Sequence, residues 1–245
     1  MRTLRILHKW LGLVVGLQLL LWTVSGFMFA WLDHDDVSAE HDAHAPPGMA
    51  LKFSDQVVEP NAWLTDYQPA DVLDVTLMPL LDHWVYRIRL KDRVELRRAD
   101  DGKRFEIDAA MIRGLSAAHY AGDAALRSVR LHAESTVEAR KAGAVWQASY
   151  ADAQRTSLYF AAADGRLVAT RNDTWRLFDV FWMLHTMDYR GRDNFNNPLV
   201  ILVATGALWL GISGGLLLFR AFRPGELNPV ARYKARAAVK KGPEA

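Results

Sequence analysis

The 245-residue chain contains no cysteine. Disulfides, thiolate metal sites, iron–sulfur clusters and covalent haem attachment through CxxCH are therefore excluded. It also has no GxSxG, HExxH or P-loop motif, so no hydrolase or nucleotidase signature is present. Rossmann and flavin fingerprints are absent too, and any reducing equivalents would have to come from another molecule, such as a quinol or a cytoplasmic reductase. Two stretches lack charge altogether. Residues 10–32 read WLGLVVGLQLLLWTVSGFMFAWL, and residues 199–219 are equally free of Asp, Glu, Lys and Arg.

A transmembrane helix needs about 20 apolar residues to cross about 30 Å of hydrocarbon, and both stretches are long enough. In lipid each backbone amide must be paired within the segment, so both are predicted to be helical despite their glycines. A cleaved signal peptide would have a shorter apolar core and an A-x-A site, so residues 10–32 read as an uncleaved anchor. Arg2, Arg5 and Lys9 precede the first stretch, and Arg220, Arg223, Arg232, Lys234, Arg236, Lys240 and Lys241 follow the second. Lys and Arg collect on the cytoplasmic side. The expected topology is a cytoplasmic N-terminus (residues 1–9), spans at 10–32 and 198–219, and a basic cytoplasmic tail (220–245). The polar region between the spans then lies outside, most simply in a bacterial periplasm, with the spans in the inner membrane. Attraction to anionic lipid accounts for the basic tail without a nucleic-acid partner.

Gly12-x-x-x-Gly16 and Gly211-x-x-x-Gly215 predict close helix packing, on each other or on a second copy. Gln18, the strongly polar side chain of the first span, is expected to bond across to another helix or, alternatively, to meet a cofactor. Residues 33–50 hold His34, His41 and His44 among carboxylates. They read either as an iron-gathering segment or as a solvated acidic linker.

Residues 51–108 and 109–173 read as two copies of one unit. Each has a helix (about 55–65 and 109–120) followed by short alternating strands. HWVYRIRL…RRADDGKRFEI matches AVWQASYA…YFAAADGRLVAT, with Asp-Gly at each hairpin turn. The predicted class is α+β, two helix-plus-antiparallel-sheet units between two membrane helices. Residues 174–190 read as an aromatic amphipathic helix at the interface, with Trp175, Phe178, Trp182 and His185 at helical spacing. Asn197-Pro198 is a predicted helix start.

The strand–ADG–strand endings resemble tandem PepSY domains. LHKWLGLVVGLQLLLWTVSG and TWRLFDVFWMLHTMDYRGRDNFNNPLVILVATGALWLGISGGLLLF resemble the membrane segments of the PepSY-associated transmembrane family, and the resemblance extends to about residue 219. That family includes haem-containing ferric-siderophore reductases. The resemblance implies haem b as cofactor, with His8 and His185 as axial ligands because both fall in matching segments. Larger relatives have four or more spans, so two spans imply a homodimer. The two histidines stand about 30 Å apart along the first span and cannot share one iron. His8 would pair with His8 of a second copy. His185 would pair with its own mate or with His34. The implied activity is reduction of periplasmic ferric iron or a ferric siderophore. A different reading makes both histidines polar anchors and the chain a membrane-anchored PepSY module that binds a peptidase or another envelope protein. A third makes it an accessory subunit of a larger iron-uptake assembly.

Overall fold

The computed structural model describes residues 2–45 and 57–221. Residues 220–221 close the last helix, while the rest of the basic tail, the Pro46–Gly48 end of the acidic segment and the start of the helix expected at 55–65 lie outside the described residues. The chain forms two compact units. A helical unit contains residues up to 26, 184–188 and from 194 onward, and an α+β unit contains 27–183 and 189–193.

Among the described residues, two helices are long and apolar enough to cross a membrane. Helix α1 is Arg2–Trp31, and the last described helix is Pro198–Ala221. The latter begins as the sequence predicts: Asn197 Oδ1 accepts from the Val200 amide at 3.0 Å, with Pro198 in the first turn. Gly206 faces Val15 so closely that a Cβ there would stand 3.1 Å from Val15 Cγ2, and Gly12 faces Leu210. By contrast, a Cβ at Gly16, Gly211 or Gly215 would meet nothing within 4 Å. Only one glycine of the two GxxxG pairs therefore serves the contact between these helices. Much of the rest of their surface is exposed Leu, Val, Ile and Phe, which is compatible with contact with lipid.

The α+β unit holds two four-stranded antiparallel meanders. One contains β1 (Val72–Leu80), β2 (His83–Leu90), β3 (Val94–Arg98) and β4 (Arg104–Phe105). The other contains β5 (Leu126–His132), β6 (Val145–Tyr150), β7 (Ser157–Ala161) and β8 (Leu167–Arg171), each in sequential order. The internal repeat extends to detail. The first strand pair of each sheet carries a register shift at the same place, between Val72 and Asp74 and between Leu126 and Ser128. Both Asp-Gly turns close alike. Gly102 N donates to Arg98 O and Gly165 N to Ala161 O, while Asp101 and Asp164 each accept from the amide two residues on.

The helices preceding the sheets differ more than the sequence suggests. The second, α4 (Ala109–His119), is capped by Asp108, whose side chain accepts from Met111 N. The first is a single turn, α3 (Asn61–Leu64), with Pro60 at its N-cap. Proline has no amide to donate, so the helix expected at 55–65 does not continue back through Pro60. Ile112 and Leu115 of α4 share one core with Val85 and Leu96 of the first sheet and Leu158 and Phe160 of the second. Trp63 of α3 covers the opposite face of β2, against Tyr86, Ile88 and Leu90. β2 is thus buried on both faces, and its alternation separates two cores.

The second turn is the tighter of the two against α4. Gly165 has φ +69°, and a Cβ there would lie 3.0 Å from Leu115 Cδ1. An L side chain in the left-handed region costs roughly 1–2 kcal/mol. Gly165→Ala is therefore expected to lower the unfolding midpoint by several degrees. An unchanged midpoint in melting curves would contradict the packing assigned to Gly165.

Candidate functional site: two histidines held by span serines

The acidic segment is folded. His34–Ser38 forms a short helix, α2, capped by Asp33, and Ala39 after it is fully buried. Asn172 Nδ2 donates to Asp36 O (3.0 Å) and to Asp42 Oδ2 (2.9 Å), which ties this segment to the end of the second sheet. Residues 33–45 are thus a folded segment, in which Asp33, Asp35 and Asp36 remain exposed to solvent. His34 and His41 are exposed, and His41 has Asp42 at 3.5 Å and Asp36 at 3.8 Å. Among the described residues, no group of three or more His, Asp or Glu is arranged to hold a metal ion.

The same Asn172 starts α5 (Asp173–Thr186), accepting from Trp175 N at 2.8 Å. The aromatic face of α5 is spent on packing. Trp175 is buried beneath the Arg171 guanidinium, which lies 4.2 Å from the ring centroid. Phe178 and Trp182 pack on Phe29 at the end of α1. Asp179, 1 % exposed, accepts from Arg140 at 3.2 Å and from Arg192 at 2.5 Å.

The last turn of α5 belongs to the helical unit. A helix C-terminus leaves its final carbonyls without intrahelical partners. Here side chains supply the donors: Gln18 Nε2 to Leu184 O (3.0 Å), Trp22 Nε1 to His185 O (2.7 Å) and Asn197 Nδ2 to Thr186 O (2.8 Å). Met187, at φ +55°, then turns the chain out of the helix. Gln18 therefore bonds across to another helix, the first of its two expected uses.

This arrangement fixes His185. Its Nδ1 lies 2.8 Å from the fully buried Ser25 Oγ, with the Trp22 ring 6.3 Å away, centroid to centroid. The Ser25 hydroxyl has one proton, and Leu21 O, at 2.7 Å, takes it. Ser25 Oγ then accepts from Nδ1–H; this assignment follows from the hydrogen-bond network. Burial pushes the imidazole pKa below its ordinary value, which favours the neutral ring.

His8 has the same surroundings at the other end. With the last helix now α6, His8 Nδ1 lies 2.8 Å from Ser213 Oγ, and Trp209 is 6.5 Å away, centroid to centroid. Ser213 is 3 % exposed, and its hydroxyl donates back to Leu210 O at 3.2 Å. The same assignment has His8 Nδ1–H donate to Ser213 Oγ. Space for the ring comes from Gly214, where a Cβ would stand 3.3 Å from His8 Cε1. From His8 to Ser25, α1 rises about 25 Å at 1.5 Å per residue. The two imidazoles thus form separate sites, as the spacing predicts.

At each site the imidazole Nδ1 is anchored on a buried serine hydroxyl, which sets the orientation of the ring. An imidazole oriented through one ring nitrogen is the kind of side chain that ligates a haem iron or another metal. The helical unit places one histidine at each level. His34, the third expected ligand, lies in the α+β unit. Ser25, Ser213, Trp22 and Trp209 were not singled out in the sequence; the available signal was a hydroxyl inside each charge-free run, three or four residues after a Trp. No family model, curated protein or solved structure matches this chain.

Proposed function

We propose that the chain is a PepSY-type inner-membrane electron carrier. It would bind haem b through His8 and His185 in a homodimer and pass electrons outward to ferric iron or a ferric siderophore in the periplasm. The observation that carries this reading is the pair of span-anchored imidazoles, each held by a buried serine and separated by about 25 Å of helix. A histidine that only anchors a helix at the interface needs no buried hydroxyl on its Nδ1.

The chain's own residues hold and orient. Ser213 and Ser25 anchor Nδ1 and so set the orientation of each ring. Trp209 and Trp22 lie beside the rings, and Gln18 and Asn197 clamp the turn that carries His185. Each chain supplies one imidazole per level, so bis-imidazole ligation calls for a second copy, which a two-fold dimer provides. Bound haem would supply one-electron transfer, its potential set by these ligands and by burial. The acceptor and the outward direction rest on the resemblance of the membrane segments and on the distribution of Lys and Arg.

Residues that orient a metal-ligating histidine typically contribute about 10–100-fold in affinity. Ser213→Ala and Ser25→Ala are each expected to weaken haem retention on that scale and to shift the midpoint potential of one haem only. Haem titration and potentiometry of the purified variants would read this. Unchanged affinity and potential in both variants would remove the serines from the proposal.

A further inference from the structure

Away from the histidines, a cavity of about 570 Å³ opens in the α+β unit, between the β1–β2 hairpin, the end of α4 and the β7–β8 turn. This is the size range of small-molecule sites. Its walls are mostly apolar and include Met78, Leu81, Leu115 and Leu167. Four charged residues also line the cavity; Asp82 and Arg166 are exposed to solvent, whereas Arg87 and Asp164 are more buried, and neither of these two is well partnered. Arg87 lies on the same face of β2 as the core residue Val85, where alternation calls for an apolar side chain. Its Nε is buried without a hydrogen-bond acceptor. Its Nη1 stands 3.9 Å from Asp164 Oδ2, beyond hydrogen-bond range. Asp164 is 5 % exposed, and its other oxygen, Oδ1, is used by the Arg166 amide of the turn. Burying such groups without hydrogen bonds is costly. Both line the cavity, one short of an acceptor and the other short of a donor.

We propose that this cavity binds a small uncharged peptide-like molecule, an apolar amino-acid residue flanked by two secondary amides, whose own N–H and C=O point to the same side when it is extended. The residue's carbonyl accepts from the Arg87 guanidinium, its N–H donates to Asp164 Oδ2, and its apolar side chain lies against Leu81, Leu115 and Leu167. A carboxylate would satisfy Arg87 but would bring a like charge against Asp164. An ammonium would do the reverse. A neutral group with donor and acceptor side by side satisfies both at once. The site is independent of the haem reading, since all its residues lie in the α+β unit.

The test uses the full chain in lipid nanodiscs, with Leu and Val methyl groups labelled for NMR. The probe is N-acetyl-leucine methylamide, compared with its analogue carrying ester oxygens in place of both amide N–H groups. Saturable shifts are expected at Leu81, Leu115 and Leu167. The ester should bind about tenfold more weakly, as should the amide to Arg87→Met. Asp164→Asn, whose one carbonyl oxygen remains with the Arg166 amide, should bind amide and ester alike. The proposal is overturned by an absence of saturable shifts in the wild-type protein up to the solubility limit. Equal binding of amide and ester to the wild-type protein, or undiminished amide binding by Arg87→Met, would overturn it as well.

Discussion

Asp179→Ala is expected to lower the thermal unfolding midpoint by about 6–12 °C. The carboxylate is almost wholly buried and accepts from both Arg140 and Arg192. Removing one member of a buried ion pair typically costs about 3–5 kcal/mol, because the remaining charge is left without a partner. Both guanidiniums retain some exposure, about a third for Arg140 and a quarter for Arg192, so water recovers part of the loss. The lower figure, about 3 kcal/mol, therefore applies, and each kcal/mol is worth about 2–4 °C in a protein of this size. Arg140→Met and Arg192→Met should each cost less, because Asp179 then keeps one partner. The triple variant Asp179→Leu, Arg140→Met, Arg192→Met should recover much of the loss. Melting curves followed by circular dichroism would measure all four. An Asp179→Ala midpoint within about one degree of wild type would mean that the triad does not hold α5 in place.

The second large effect concerns the histidines. If each level of a dimer carries one haem, His8→Ala should lose one of two haems per dimer and leave the other spectrally intact. His185→Ala should lose the other, and the double variant should be colourless. Steady-state reduction of a ferric chelate should fall to background in both single variants, because a relay needs both stations. Pyridine haemochrome quantitation against protein concentration gives the stoichiometry directly. Full haem content in both single variants would assign ligation to other residues.

The secondary structure was largely legible in the sequence because its signals are local. Charge-free runs locate the spans, period-2 alternation locates the strands, and Asp-Gly locates both hairpin turns. The helix at 55–65 failed through Pro60, whose missing amide was outweighed by the apparent repeat. The composition of the acidic segment read either as a linker or as an iron-gathering segment, and neither reading foresaw its fold. Its order comes from Asn172, more than 120 residues away, which no local pattern reveals. The candidate site was half legible. His8 and His185 stood out by position, and Gln18 by its polarity. The serines that hold the rings were silent, since a lone Ser in an apolar helix usually bonds only to its own backbone. Ser25 and Ser213 do so as well, and only the fold brings an imidazole within 2.8 Å of each.

The most direct test of the central claim is the absorption spectrum of the full chain, purified in mild detergent from haem-replete cells and recorded oxidised and then dithionite-reduced. Two low-spin bis-imidazole haems per dimer predict a Soret band that shifts on reduction and sharp reduced α and β bands. A protein without a Soret band that also takes up no haem on titration would contradict the account and leave the two histidine–serine pairs as anchors of helix packing.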